Sequence, residues 1–264
     1  MEFRTVVDIP KPSFEIGPFE ELLFVGSCFA DSIGRRFQEE KFRVMVNPFG
    51  VMYNPASVLH TIERLSTIFP SVVFLTLGTN HVYRLKETGE IVDNCQKRPQ
   101  ALFTEEELSV NACVGYLQQA VDLLKANNSA VHVVFTVSPI RYRKYGYHGS
   151  QLSKATLLLA IQDVKGADYF PAYEIVNDEL RDYRFYKDDM LHPSDLAVEY
   201  IWQRLAETYL NEAARTFIRE WQPLKAALSH RPFNADSVEY KTFMDKTMLK
   251  VEEIRKKYPT FHLW

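Results

Sequence analysis

The chain has 264 residues, of which 46% are hydrophobic and 25% charged, with a net charge of -3 at pH 7. That balance excludes a disordered chain, and basic residues are scattered apart from Arg255-Lys256-Lys257, which sit beside Glu252 and Glu253 as on a solvated helix face, so no nucleic-acid partner is expected. The three cysteines, Cys28, Cys95 and Cys113, are odd in number and contain no CxxC pair, which argues against a disulfide framework and a zinc site.

Residues Met1 to Pro12 carry Glu2, Arg4, Asp8 and two prolines and so lack an apolar signal core, and no stretch has the length of a membrane span. The expectation is a cytoplasmic protein with no membrane partner. Leu22 to Gly26 is a short apolar run ending in Gly and Ser, and Phe29, Ile33 and Phe37 then recur every four residues up to Lys41. This predicts strand, tight turn, helix. Arg43 to Val46 is strand-like, Ala56 to Phe69 has a helical pattern, and Val72 to Leu77 is a strand stopped by Gly78. Tyr83 to Asp93 reads as a small hairpin with Glu87-Thr88-Gly89 at its tip.

Thr104 followed by Glu105, Glu106 and Glu107 predicts the start of a helix running to Ala126. Val131 to Val137 is a third buried strand, and 151–164 and 195–210 are helical. Strands alternating with such helices predict a parallel sheet covered on both faces. Beyond Leu210 the tail is mostly helical, with breaks expected at Trp221-Gln222-Pro223, Arg231-Pro232 and Tyr258-Pro259. The domain reading is therefore 1–210 followed by a helical extension, 211–264, that packs back on the domain or forms a homo-oligomer surface.

In an open parallel sheet, ligands bind at the carboxyl edge. Four loops matter there: Gly26-Ser27-Cys28-Phe29, Asn47-Pro48-Phe49-Gly50, Gly78-Thr79-Asn80 and Asp189-Met190-Leu191-His192-Pro193. Ser27 lies between strand and helix, a nucleophile's position that is equally an N-cap's. His192, three residues after Asp189, can serve as the base that a serine hydroxyl requires, with the aspartate fixing its tautomer. The Ser27 amide, Gly50 and the Asn80 side chain are candidate donors to an oxyanion, each with a competing reading as a turn residue. Cys28 is a weaker nucleophile candidate, expected to pack beneath the site. Gly78, Tyr83, Arg141 and Tyr186 are candidate substrate-lining residues. No cluster has metal-ligand spacing, so no metal and no cofactor is expected.

Ser, Gly, GxN and DxxHP in this order, each after a strand, resemble the four blocks of the SGNH (GDSL-like) hydrolase superfamily. Gly26-Ser27-Cys28-Phe29-Ala30 spells the signature of the GSCFA family, and NPFGVMYNP, LTLGTNHVY, TVSPIR and DMLHPSD are similar to its further blocks, over roughly residues 15 to 205. The resemblance implies a three-layer α/β/α sandwich and a metal-independent, serine-dependent ester hydrolase with Ser27, Gly50, Asn80, Asp189 and His192 as catalytic positions. Its substrate would be a small-molecule or glycan ester carrying a small acyl group such as acetyl. Two departures stand out: Gly26 occupies the place of the usual acidic residue before the nucleophile, and His81 that of the usual Asp after Asn80. A noncatalytic ligand-binding module and an acyltransferase using the same residues are the competing readings.

Overall fold

The apolar runs of the sequence become a five-stranded parallel sheet in the computed structural model, which describes residues 3–65, 70–93, 95 and 98–263. Its strands are β1 (Glu21–Gly26), β2 (Arg43–Val46), β3 (Val72–Leu77), β7 (His132–Val137) and β8 (Asp168–Tyr169), in the order β2-β1-β3-β7-β8. Side chains alternate between faces. Leu22, Phe24, Val72, Phe74 and Val134 form one core with helices α1 (Cys28–Glu39) and α6 (Asp195–Tyr209). Leu23, Val25, Val73, Leu75, Val133 and Phe135 form the other with α2 (Pro55–Arg64), α3 (Val110–Asn127) and α4 (Gly146–Asp163). The result is three layers around a mainly parallel sheet, as expected.

A second, antiparallel sheet stands outside these layers, made of β4 (His81–Leu85), β5 (Ile91–Val92) and β6 (Phe103–Glu107) in the order β5-β4-β6. The hairpin is as expected, with Gly89 in the left-handed region at its tip. The helix expected from Glu105 is not: Phe103–Glu107 is a strand, and α3 starts only at Val110, capped by Ser109. The three glutamates that read as a helix first turn instead serve cross-strand pairs. Glu106 accepts from Arg84 Nε at 3.0 Å and Glu105 from Tyr83 Oη at 3.0 Å, so β4 gains a partner on its second edge.

The helix expected over Ala56 to Phe69 runs from Pro55 to Arg64, and residues 66–69 lie outside the described residues. Strand β8 and helix α5 (Ala172–Glu174), which continues as a π turn over Ile175–Glu179, were not legible as separate elements. They lead through Tyr183–Phe185 into the Asp189–His192 loop.

The chain leaves β1 to form β2 on one side and then β3 on the other, so the loops after β1 and β3 diverge at a switch point. The C-terminal helices α7 (Glu212–Leu228) and α8 (Val238–Lys257) pack away from that edge. Phe217, Trp221, Leu224, Val251, Ile254 and Phe261 close around Phe19, just before β1. Trp221 Nε1 donates to the Glu39 carbonyl at 3.0 Å, and Lys225 and Gln222 bond the buried Glu40 carboxylate at 2.8 and 2.9 Å. These contacts hold the far end of α1, about 18 Å along its axis from Ser27. Pro223 does not break α7, in contrast to the expectation, because Trp221, Leu224 and Lys225 anchor the helix on both sides of it; Pro232 and Pro259 do lie outside helices.

Trp221 is 2% exposed, so Trp221→Ala should cost about 3–5 kcal/mol and lower Tm by roughly 10 °C in a thermal melt.

Candidate active site

The end of β1 is built by close approach. Gly26 has φ +146°, and a Cβ there would lie 2.1 Å from the Thr76 carbonyl oxygen on β3. No side chain fits, which accounts for the missing acidic residue before Ser27. Gly26 N–H donates to Asn47 Oδ1 at 2.8 Å, its carbonyl accepts from Met52 N–H at 2.8 Å, and Asn47 Nδ2 donates to Asp31 at 2.6 Å. The first two loops are thereby locked together. Tyr53 locks the third, its carbonyl accepting from Gly78 and Thr79 N–H at 2.7 and 2.9 Å.

Ser27 follows as the N-cap of α1, 1% exposed, its Oγ accepting from Phe29 N–H at 3.3 Å. That bond is long for an N–H···O contact, and it uses a lone pair and leaves the hydroxyl proton free to donate. Cys28 is half-buried and lines a cavity of about 480 Å³, which corrects the expectation that it packs beneath the site. The turn that buries Ser27 under the strand ends turns the next residue outward. Burial raises the Cys28 thiol above its ordinary value.

His192 lines the same cavity. Its Nδ1 bonds Asp189 Oδ2 at 2.6 Å, while Asp189 Oδ1 accepts from His192 and Leu191 N–H at 3.0 and 2.8 Å. Those two amides, with the ring, lower the Asp189 pKa to about 2, so the carboxylate is charged throughout the neutral range and presents a fixed acceptor to the imidazole. Met190, between them, takes φ +58°, a conformation the loop's hydrogen bonds sustain. Arg141 clasps the loop through N–H to Leu191 O at 3.1 Å and guanidinium to Met190 O at 3.0 Å. No hydrogen bond joins the His192 ring to Ser27 Oγ among the described residues.

The expected oxyanion donors are engaged elsewhere. Ser27 N–H donates to Thr76 O at 3.2 Å. Gly50 is exposed, outside the cavity lining, its N–H closing a turn onto Asn47 O at 2.8 Å. Asn80 is 3% exposed, its Nδ2 donating to Leu108 O at 2.8 Å and its backbone carbonyl accepting from Leu108 N–H at 3.0 Å. This side chain ties the strand–helix junction after β6 in place of facing the cavity. Of the expected lining residues, Tyr83 and Arg141 line the cavity, Tyr186 lines an adjoining one that shares Arg141, and Gly78 lies beneath it. His81 also lines it, stacked on Tyr145 at 3.6 Å, and burial pushes its pKa below the ordinary value, favouring the neutral ring.

Lys154 was missed by the sequence reading. It is 2% exposed, in the floor of the site, and its ammonium donates to the Gly78 and Ser138 carbonyls at 2.6 and 2.8 Å, joining the ends of β3 and β7. No carboxylate pairs with it among the described residues, and burial pushes its pKa from 10.5 down to about 7. Its place on the buried stripe with Leu157 and Ile161 was the available signal. Among the described residues, no three His, Cys, Asp or Glu side chains gather to hold a metal ion, and no helix is long and apolar enough to cross a membrane.

The strand–turn–helix edge with its paired Asp and His defines a loop-built site on an α/β sheet. Residues 21–70 and 66–205 match the family described as the GSCFA family, and residues 221–263 match the GSCFA domain protein, C-terminal domain. The chain belongs to the GSCFA family. No curated protein matches it. Among solved structures it is similar to a catalytic mutant of an acetylxylan esterase from Geobacillus stearothermophilus (12% identity, TM-score 0.48, covering 74% of this chain and 96% of that one). It is also similar to a family 3 carbohydrate esterase from Clostridium thermocellum (14%, 0.43, 76% and 97%) and one from Talaromyces cellulolyticus (10%, 0.43, 76% and 99%).

Two outcomes are expected. Gly26→Ala should destabilise the fold by more than about 3 kcal/mol in chemical denaturation, because the new Cβ meets backbone and the φ is unfavourable for it. For Lys154 the sign follows from its lowered pKa: below about pH 7 both folded and unfolded chains hold the proton, and from 7 to 10.5 only the unfolded chain keeps it. Stability of the wild type should therefore rise with pH across that window relative to Lys154→Met, by up to about 1.4 kcal/mol per pH unit. Parallel pH profiles of the two proteins would contradict this.

Proposed function

We propose that this protein is a serine-dependent ester hydrolase acting on small acyl esters, with acetyl groups on a carbohydrate as the preferred substrate class. The observation that carries the reading is the Asp189–His192 pair, held at 2.6 Å on the wall of a cavity that begins one residue after Ser27. In the reaction, Ser27 Oγ attacks the carbonyl carbon as its proton passes to His192 Nε2. The carbon–oxygen bond to the alcohol breaks, and the alcohol leaves with the proton from His192. Water, deprotonated by the same imidazole, then attacks the acyl-serine and releases the acid.

The setting of Ser27 supports this role. Its Oγ accepts an N–H from the first turn of α1, where the helix dipole favours negative charge, so an alkoxide developing on it is stabilised while its proton remains available to a base. Asp189 stays ionised and supports the imidazolium that forms. The tyrosines and Arg141 around the cavity suit a polar, sugar-sized substrate.

One observation favours a second reading: Cys28, not Ser27, lines the cavity directly. Its raised pKa leaves little thiolate at neutral pH, which ranks it behind Ser27. Turnover of p-nitrophenyl acetate separates the two. Ser27→Ala should lose at least about a thousandfold in kcat and Cys28→Ala less than about tenfold. Full activity in Ser27→Ala would overturn the proposal, and the reverse pattern would assign the thiol.

A further inference from the structure

We propose that Asn54 supplies the side-chain donor that holds the oxyanion, the role expected of Asn80; this rests on the ester-hydrolase reading. Asn54 is 4% exposed and lines the cavity with Cys28 and His192, whereas Asn80 does not. Its Oδ1 caps α2, accepting from Ser57 N–H at 2.9 Å and Ser57 Oγ at 3.1 Å. Both bonds fall on the one oxygen, so the orientation of the amide is set: the oxygen faces the helix and Nδ2 faces away from it. Among the described residues, Nδ2 has no acceptor.

Nδ2 is not among the fully buried side-chain atoms that lack a partner, so it keeps access to the cavity, where a substrate oxygen can become its acceptor. Its position is also rigid. Pro55 follows it as the first residue of α2, and Tyr53 before it carries the two bonds from Gly78 and Thr79. Such a donor is oriented before substrate arrives, the condition under which a hydrogen bond favours the transition state over the bound ester. The amide of Cys28, first in α1 and likewise without an oxygen acceptor among the described residues, offers a second donor at the same cavity.

The cap and the donor are separable by substitution. Asn54→Ser retains a side-chain oxygen for capping α2 and loses the amide, and Asn54→Asp keeps the cap while placing an anion where negative charge develops. With p-nitrophenyl acetate, Asn54→Ser should lose roughly 100- to 1,000-fold in kcat with KM changed less than about threefold, at a Tm near wild type. Asn54→Asp should fall at least as far. Asn80→Ser should lower Tm while keeping kcat within about threefold. The proposal is overturned if Asn54→Ser keeps wild-type kcat, if Asn80→Ser takes the loss, or if kcat in both Asn54 variants falls only in step with Tm, as for a cap alone. Wild-type turnover that is absent, or unchanged in both Ser27→Ala and Cys28→Ala, would instead remove the hydrolase reading and the role of Asn54 with it.

Discussion

The close approach of β1 to β3 at Gly26 and Thr76 is the constraint on which the site depends. A residue with any side chain at position 26 would push the strands apart. Because it carries none, the chain can turn sharply, Ser27 can cap α1 beneath the strand ends, and Asn47 and Met52 can reach in to bond both polar groups of Gly26. The second loop is fastened to the first through this residue, and the third to the second through the Tyr53 carbonyl. Three segments far apart in sequence thus share one set of backbone bonds, and the cavity inherits their rigidity.

The candidate site and the packing of the C-terminal helices lie at opposite edges of the sheet. At the carboxyl edge lie the unusual features: Met190 at positive φ, a buried ammonium at Lys154 that has no counter-ion among the described residues, and Ser27 lying buried at a helix start. The first two are each unfavourable alone, whereas Ser27 stabilises the helix start that it caps. At the far end of α1, the C-terminal helices add aromatic packing around Phe19 and charge pairing on Glu40, and none of their residues line the cavity. The bonds of Lys154 hold the ends of β3 and β7 at fixed spacing while its charge costs folding free energy.

Much of this was legible in the sequence because it follows from periodicity and punctuation. The apolar runs ending at Gly26, Leu77 and Val137, the repeat of Phe29, Ile33 and Phe37, and Asp189 three residues before His192 all have local signatures. The failures have a common physical origin, which is that the deciding partner is distant in sequence. Glu105 to Glu107 carry a helix-start composition, but the open edge of β4 recruits them as a strand. Asn80 has the spacing of an oxyanion donor, but the Leu108 backbone claims its amide. Pro223 reads as a breaker, but Trp221 and Lys225 reach across to Glu39 and Glu40 and hold the helix through it. Lys154 shows in the sequence only as a charged residue on the buried stripe of α4, and its two carbonyl partners at the ends of β3 and β7 are distant in sequence.

Whether Ser27 carries the acyl group is tested most directly by treating the folded protein with a serine-reactive fluorophosphonate and mapping the adduct by mass spectrometry. The expected result is a single phosphonyl group on the peptide containing Ser27, formed at least about a hundredfold more slowly in His192→Ala. An adduct elsewhere, or labelling of Ser27 at the same rate without His192, would contradict a nucleophile activated by the Asp189–His192 pair.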